Sequence, residues 1–514
     1  MLVAEDNKDS ASESSLSSRS SSPSFIDEAE VEAGMNPENS DYAQLFEDSC
    51  IMMDDYIMDN LCKVSKPEFH DDLTAYLFEQ LRIVLFASVG DTHVIDSVRA
   101  HSLIYRIIEN VSIYYFDQLH MCNPHRFMPV RSSFVRNDEN DEKCNDDNDD
   151  NDNNATDIIA EKVQRLIRQQ NQTEQRTDAW YARRHSLITA SSAWKVFGTD
   201  SVVNQLIYEK CKPYVSSTAG DDSTQPFVNV ESPLHWGQKY EYLSAEIYQR
   251  RNNTRLGEFG CIQHSDPRFS FLGGSPDGIN IDELSPLFGR MVEIKNIVNR
   301  DITGIPKEEY WIQMQIQMET CDMDACDFVE TRFVEYEDPQ DYYDDVQIDC
   351  TYSGGTNSSC WGDDDGDNAA RGIIIYFVDL ETRKPHYVYM PFEYTDVDIQ
   401  EAWIINTISR FETDAEKRKY VWIRNIYWKL DQYSCVLVRR NRVWFSAYAA
   451  SRIEAVWRTI EMERVSGYAH RAPKKRIVSM PREAMSASSR NGNNGNGNGN
   501  GGGTALHCGC GIVL

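Results

Sequence analysis

Apolar residues recur three and four apart through LTAYLFEQLRIVLFASV and SLIYRIIENVSIYYFDQL. That is the spacing of one buried helix face, so residues 41–136 read as a helical N-terminal domain. DIIAEKVQRLIRQQ keeps the same period. TASSAWKVFG reads as a helix stopped by Gly198, and PLHWGQKYEYLSAEIYQRR as an amphipathic helix. The pattern then changes. MVEIKNIV is a short, apolar, buried strand, and GIIIYFVDL and HYVYMPFEY are further strands. DVDIQEAWIINTISRFETDAEKRKYVW and AYAASRIEAVWRTIEMERV return to helical spacing. Residues 157–470 therefore mix helix and strand signals in one long domain.

Four stretches lack any apolar period. Residues 1–40 are Ser-rich and acidic and read as a disordered tail. Residues 137–156 are an Asn/Asp-rich linker; they lack the spaced aspartates, glycine and closing glutamate of a calcium loop. Residues 337–371 read as an acidic, polar insertion. Residues 471–514 are first basic and then collapse into NGNNGNGNGNGGG, a flexible tail.

The charge of these stretches changes what the bulk composition implies. The net charge of −31 over 514 residues argues at first against a nucleic-acid partner. Residues 1–40, 137–154 and 337–367 contribute −7, −8 and −10, which leaves −6 for everything else. A local basic groove on the folded body is compatible with that remainder. No run of 18 apolar residues is present, so no membrane span is expected. The acidic N-terminus has no apolar core of the secretory kind. The 13 scattered cysteines suit a reducing, intracellular setting. The expected location is intracellular and soluble, in the host cytoplasm or nucleus if the source is viral; PKKRIV at 473–478 resembles a basic nuclear signal.

Candidate chemistry gathers in GGSPDGINIDELSPLFGRMVEIKN. Residues two apart in a strand project to one face. Glu293 and Lys295 therefore point together, with Ile294 on the opposite face. Asp277 sits in a Ser-Pro-Asp-Gly turn that leads into the preceding strand. If that strand lies beside MVEIKN, an aspartate, a glutamate and a lysine converge. Two hard oxygen ligands suit Mg²⁺ or Mn²⁺, and a lysine can orient a water or offset phosphate charge. A Glu-x-Lys pair on an exposed strand and an ordinary β-turn are the bland reading of the same residues. Met291, Val292, Ile294, Ile297 and Val298 make the strand too apolar for that, because charges in such a strand are expensive without a purpose.

The pattern resembles the PD-(D/E)xK nuclease superfamily. Within it, HSDPRFSFLGGSPDG, MVEIKN and YWIQMQIQME are similar to the YqaJ-type viral recombinase family, the lambda-type exonucleases, also found in large DNA viruses. WYARRHSLITASSAWKVFG and LHWGQKYEYLSAEIY resemble the family's Trp-x-x-x-Arg-x-x-x-Ile-Thr-Ala-Ser and Trp-Gly-x-x-x-Glu motifs. The resemblance implies an α/β fold with a central mixed sheet flanked by helices, a helical N-terminal region and a C-terminal extension. It implies a metal-dependent DNA exonuclease that digests one strand of duplex DNA from a 5′ end, in recombination, repair or processing. Asp277 and Glu293 would be metal ligands with the Ile294 carbonyl, Lys295 the catalytic lysine, and Glu241 the group that helps hold a second ion or the attacking water. Arg184, Ser191 and Ser275 would hold DNA phosphate, and Gln313 and Gln317 would lie on a helix beside the centre. Two Mg²⁺ or Mn²⁺ ions, duplex DNA ends, a single-strand annealing protein and a homotrimer are the implied cofactors and partners. One departure is the 16-residue separation of Asp277 and Glu293, longer than the family's hairpin; extra loop should leave the two strand ends in place.

Other groups read two ways. Arg439, Arg440 and Arg442, followed by Trp444 and Phe445, suit either a surface that tracks DNA and stacks a base or an edge strand with solvated arginines. Cys321 and Cys326, Cys350 and Cys360, and Cys508 and Cys510 lack paired zinc spacing and read as free or structural thiols. Two other functions stay open: a nuclease that prefers single strands or cuts internally, and a catalytically silent DNA-binding or host-interaction protein. The complete set Asp277, Glu293, Lys295 and Glu241 speaks against the second.

Overall fold

The computed structural model describes residues 40–88, 97–118, 149–168, 177–215, 229–352, 370–414, 417 and 419–473. Its first helices are α1 (Ser40–Asp59), α2 (Phe69–Ser88) and α3 (Ser97–Gln118). Their apolar faces meet through Met53, Ile57, Leu73, Leu77, Ile104, Ile108 and Val111. Helix α4 runs Asp149–Arg168, so residues 149–156, expected as linker, are helical. Its Asp/Asn-rich start favours the positive end of the helix dipole.

The mixed strand and helix signals resolve as follows. Helix α5 (Asp178–His185) leads to β1 (Ile188–Thr189), the single turn α6 (Ala190–Ala193), α7 (Asp200–Cys211) and α8 (Pro233–Arg251). Strands β2 (Leu256–Gly257), β3 (Ile262–Gln263), β4 (Leu272–Gly274), β5 (Gly278–Asn280) and β6 (Met291–Asn296) precede helix α9 (Glu308–Cys321). Then come β7 (Ala325–Glu335), α10 (Pro339–Tyr352), β8 (Arg371–Asp379), β9 (Pro385–Tyr389), α11 (Val397–Thr413), β10 (Tyr420–Arg439) and α12 (Ala450–Ser466). The chain is α/β. A seven-stranded mixed sheet has the order β2-β5-β6-β7-β10-β8-β9, and β1-β4-β3 form a smaller sheet. Strands β6 and β7 are parallel, joined by α9 as the crossover. Residues from Ala469 onward form a separate unit.

Helix α9 is buried on nearly every side, with Trp311, Ile312, Met314, Ile316 and Met318 in the main core. It packs on the face of the large sheet that carries Met291 and Phe328. Helix α8 covers the other face, where Tyr248 meets Val292, Ile294 and Val329. The catalytic candidates thus lie in a sheet closed on both sides, which explains why their strands read as nearly continuous apolar runs.

Several expectations need correction. The helix expected over 396–422 ends at Thr413, and Tyr420–Trp422 begin β10. Helical spacing cannot register that Tyr420 and Val421 find partners in Asp379 and Val378 of β8. The stretch TASSAWKVFG is a two-residue strand, one α turn and a 3₁₀ turn over Trp194–Phe197. Gly198 follows it in extended geometry, φ −76°, not in the left-handed form of a helix stop. A Cβ there would lie 2.9 Å from Val202 Cγ1, so close packing against α7 selects glycine. The acidic insertion is partly built into the fold: α10 buries Tyr342 and Val346 against Ile373, Met390 and Tyr427. Its remainder, 353–369, lies outside the described residues, as does PKKRIV from Lys474 onward.

The basic-aromatic cluster departs from both expectations in part: Arg442 is solvated, but its strand is not an edge and its aromatics are in the core. Strand β10 is central, paired with β7 and β8. The Arg440 side chain just beyond it is 7% exposed, with Nε and Nη2 donating to the Glu319 carboxylate at 2.8 and 2.6 Å and Nη1 to Asp322 Oδ1 at 3.0 Å. Arg442 pairs with Asp324, and Trp444 and Phe445 are core residues. This ionic cluster fastens the end of β10 to the end of α9. Among the described residues Cys50, Cys62, Cys211, Cys261, Cys321, Cys326 and Cys435 are free thiols.

Candidate active site

Strand β6 sets the geometry. Glu293 and Lys295 project toward α9, and the Lys295 Nζ donates to Glu293 Oε1. Strand β5 pairs antiparallel with β6 through Gly278–Val292 and Ile279–Met291, which brings Asp277 alongside Glu293. Asp277 Oδ2 accepts the Ile294 backbone N–H at 2.7 Å. The long connection between the strands does not disturb this. Its ends are tied by Asn280 N–H to Arg290 O and Gly289 N–H to Asn280 O, both at 2.9 Å.

Helix α9 supplies the other donors. Gln313 and Gln317 are four apart and share a face. Gln313 Nε2 donates to Glu293 Oε1 at 2.6 Å, and Gln317 Nε2 to Glu293 Oε2 at 2.7 Å. Glu293 is almost fully buried, yet both carboxylate oxygens accept hydrogen bonds. Gln317 Nε2 also lies 3.1 Å from the Ser275 carbonyl, so one amide ties β6 to the end of β4. This requires close approach: a Cβ on Gly274 would lie 2.5 Å from Thr320 Oγ1 and 3.2 Å from Gln317 Cα.

Glu241 comes from α8 on the opposite side of the sheet. Asn296 fixes that helix: its Nδ2 donates to Gly237 O at 2.9 Å, and its Oδ1 accepts from Ser244 and Thr331 hydroxyls, each at 2.7 Å. Burial, then the nearby Glu293 and Glu241 charges, push the Asp277 carboxyl well above the usual carboxylate range, against Lys295 and the Ile294 N–H. Burial opposes the Lys295 charge, but Glu293 and Asp277 outweigh it and hold that ammonium above its ordinary value. Carboxylates thus lie close enough to repel one another, with Lys295 paired to Glu293 among them.

A second group lies beside this one. Arg184, in the last turn of α5, donates from Nη2 to Ser191 Oγ at 2.7 Å and from Nη1 to Ser275 Oγ at 3.5 Å. Its guanidinium lies over the Trp180 ring, 4.3 Å from the centroid. Burial is the main influence that weighs against its charge. Lys210 of α7 donates to the Arg184 carbonyl at 2.8 Å; burial, then Arg184 and Arg464, push its ammonium down to about 8. Sequence reasoning missed Lys210, because nothing in YEKCK marks one lysine as turned inward. It also missed Tyr310, Arg300 and Glu330. Lys295 Nζ and Arg300 Cζ stand 5.0 and 5.7 Å from the Tyr310 ring centroid, and Arg300 pairs with Glu330.

Residues 179–324, which contain every one of the ten candidate residues, match the profile of the YqaJ-like viral recombinase domain. This segment is similar to the YqaJ-like viral recombinase domain. The chain is also 28% identical over 295 residues to an uncharacterized protein of Acanthamoeba polyphaga mimivirus, covering 53% of this chain. The chain spans about half (50%) of the length of that curated relative. Among solved structures, an alkaline exonuclease of Laribacter hongkongensis is 18% identical, with 56% of this chain and 94% of that one covered, at a TM-score of 0.29. The same exonuclease in complex with dAMP matches at 19% identity and the same TM-score of 0.29. The YqaJ-like segment spans α5 to the end of α9, so both groups of polar residues belong to it.

Proposed function

We propose that the YqaJ-like segment is a metal-dependent deoxyribonuclease that removes nucleotides from one strand of duplex DNA, beginning at a 5′ phosphorylated end. One observation carries this reading. Gln317 touches both Glu293 and the Ser275 carbonyl, so the Arg184–Ser191–Ser275 group lies one residue away from the carboxylate group. An anion held at the first group would set the next phosphodiester of the same strand beside the second.

The donor set suits a hard divalent cation. Asp277, Glu293 and the Ile294 carbonyl offer only oxygen, and the crowding that raises the Asp277 pKa is what a cation would relieve. Among the described residues no three His, Cys, Asp or Glu side chains form a ligand group by themselves. That favours Mg²⁺ or Mn²⁺, which keep waters and take phosphate oxygens, over an ion that needs a full protein cage. Bound there, one or two such ions would supply Lewis-acid stabilisation of charge on the phosphate. Glu241 is the residue to hold a second ion or to orient the attacking water. Lys295 would orient that water or offset phosphate charge. Gln313 and Gln317 fix the plane of the Glu293 carboxylate. Arg184 would grip phosphate through its planar fork, with Trp180 stacked beneath and the serine hydroxyls beside it.

The test is digestion of linear duplex DNA, with and without a 5′ phosphate, in Mg²⁺, beside closed circles and single strands. Loss of linear duplex alone, dependent on the phosphate and absent in Asp277→Ala and Lys295→Ala, is expected. Cutting of circles would replace the end-directed reading with an endonuclease. No cleavage by folded protein in Mg²⁺ or Mn²⁺ would refute it.

A further inference from the structure

Glu330 is a carboxylate that the proposed chemistry does not use. It lies on β7, in parallel register opposite Lys295 of β6. Residues paired in register project to the same face, on strands about 4.8 Å apart, so Lys295 and Glu330 are side-by-side neighbours under α9. Glu330 is completely buried. Its Oε1 accepts from Arg300 Nη2, while its Oε2 accepts nothing from any described residue. An anionic oxygen left without a donor in a sheet interior is costly. A simple charge partner for Arg300 would be expected to take the guanidinium with both oxygens, as a fork.

Lys295 supplies a reason for the second oxygen. Glu293 already receives Lys295, Gln313 and Gln317, which fills most of the lone-pair positions of a carboxylate. With a divalent cation held at Glu293, one of those positions would be lost to the lysine and its ammonium would be repelled. Lys295 is only 22% exposed, so most of it is held away from water. Asp277 would hold the same cation. The neighbouring acceptor on its own face is Glu330. We propose that Glu330 is a positioning residue that takes over the Lys295 ammonium when a divalent cation binds at Glu293, so that loading the site and placing its lysine are one coupled event. This rests on the nuclease reading of the site.

The ordinary alternative is that Glu330 only neutralises Arg300 and anchors the loop after β6, which Arg332 also holds through the Arg300 carbonyl. The two differ in sign. Mg²⁺ alone would be titrated calorimetrically into the full chain without DNA, with melting in EDTA as the fold control. Glu330→Gln should weaken Mg²⁺ binding about tenfold, because the ammonium loses its alternative acceptor. Arg300→Met should leave it unchanged or tighten it, because both Glu330 oxygens become free for Lys295. Equal weakening by the two variants, or a Glu330→Gln affinity within about twofold of wild type, would overturn the proposal. Absence of Mg²⁺ binding by the folded wild type would overturn the reading of the site as well. Should Glu330→Gln not fold, the ¹⁵N-lysine spectrum of the wild type decides, with the Lys295 signal assigned from Lys295→Met. A shifted but still exchange-protected signal on adding Mg²⁺ supports the transfer, and loss to solvent exchange refutes it.

Discussion

Gly274→Ala tests whether the contact between β4 and α9 holds the two halves of the site together. Gly274 has no positive φ that would bar alanine, so the effect is steric. The new Cβ would meet Thr320 Oγ1 at 2.5 Å and Gln317 Cα at 3.2 Å, where ordinary contacts begin near 3.4 Å. One neighbour is a hydroxyl on a short, β-branched side chain that donates to Gln317 O at 3.0 Å, and the other is helix backbone. Neither yields easily, so β4 and α9 must separate by roughly 1 Å. Overpacking of this kind costs about 1–3 kcal/mol, and a domain of this size should melt roughly 2 °C lower for each kcal/mol. Gln317 moves with α9, away from Glu293 and the Ser275 carbonyl. A misplacement of about 1 Å in a catalytic constellation lowers turnover on the order of 100-fold. The assay is turnover on linear 5′-phosphorylated duplex, with melting measured in parallel. Thr320→Ala removes the shorter contact and should restore most of both properties in the Gly274→Ala background. Unchanged turnover and melting in Gly274→Ala, or no rescue by Thr320→Ala, would refute the steric account.

Asp277→Asn should stabilise the protein in EDTA while abolishing cleavage. The folded carboxyl titrates above its unfolded value, so its favourable contribution is complete below the unfolded pKa of about 3.9 and is lost as pH rises through the folded value. Asparagine still accepts the Ile294 N–H, so the melting temperatures should coincide near pH 4 and separate toward pH 8 with the variant higher; a gap that does not grow with pH counts against it. Arg440→Met takes from the buried Glu319 its guanidinium partner, while Asp322 keeps Lys162 and Arg165, and should cost about 3–5 kcal/mol in urea unfolding. Its DNA affinity, and the salt dependence of that affinity by fluorescence anisotropy, should match wild type, because Arg440 faces Glu319 rather than solvent. Arg184→Lys keeps the charge but loses the planar fork over Trp180. Its rate advantage for 5′-phosphorylated over unphosphorylated duplex should fall about tenfold, read from initial rates on the two substrates.

How far the sequence discloses this site depends on how local each relation is. The placement of Glu293 and Lys295 together follows from the two-residue period of one strand, and Gln313 with Gln317 from the four-residue period of one helix. Asp277 needed one further assumption, that its strand pairs with β6, and antiparallel pairing of two strands consecutive in the chain is the simplest arrangement. The misreadings share the opposite property. RRNRVWF looks solvated because its charges are visible and their partners are not: Glu319, Asp322 and Asp324 approach from the end of α9, 118 to 121 residues away. Tyr420–Trp422 continue a helical spacing and become strand only because β8 is there to receive them. Glu330 reads as one polar residue in CDFVETRFVE, and only the parallel register sets it against Lys295. A buried charge is therefore identified by what lies across the sheet from it. For the same reason Glu330, which no local motif marks, is the residue whose chemistry the pairing of β6 and β7 makes most specific: the register sets it opposite the proposed catalytic lysine.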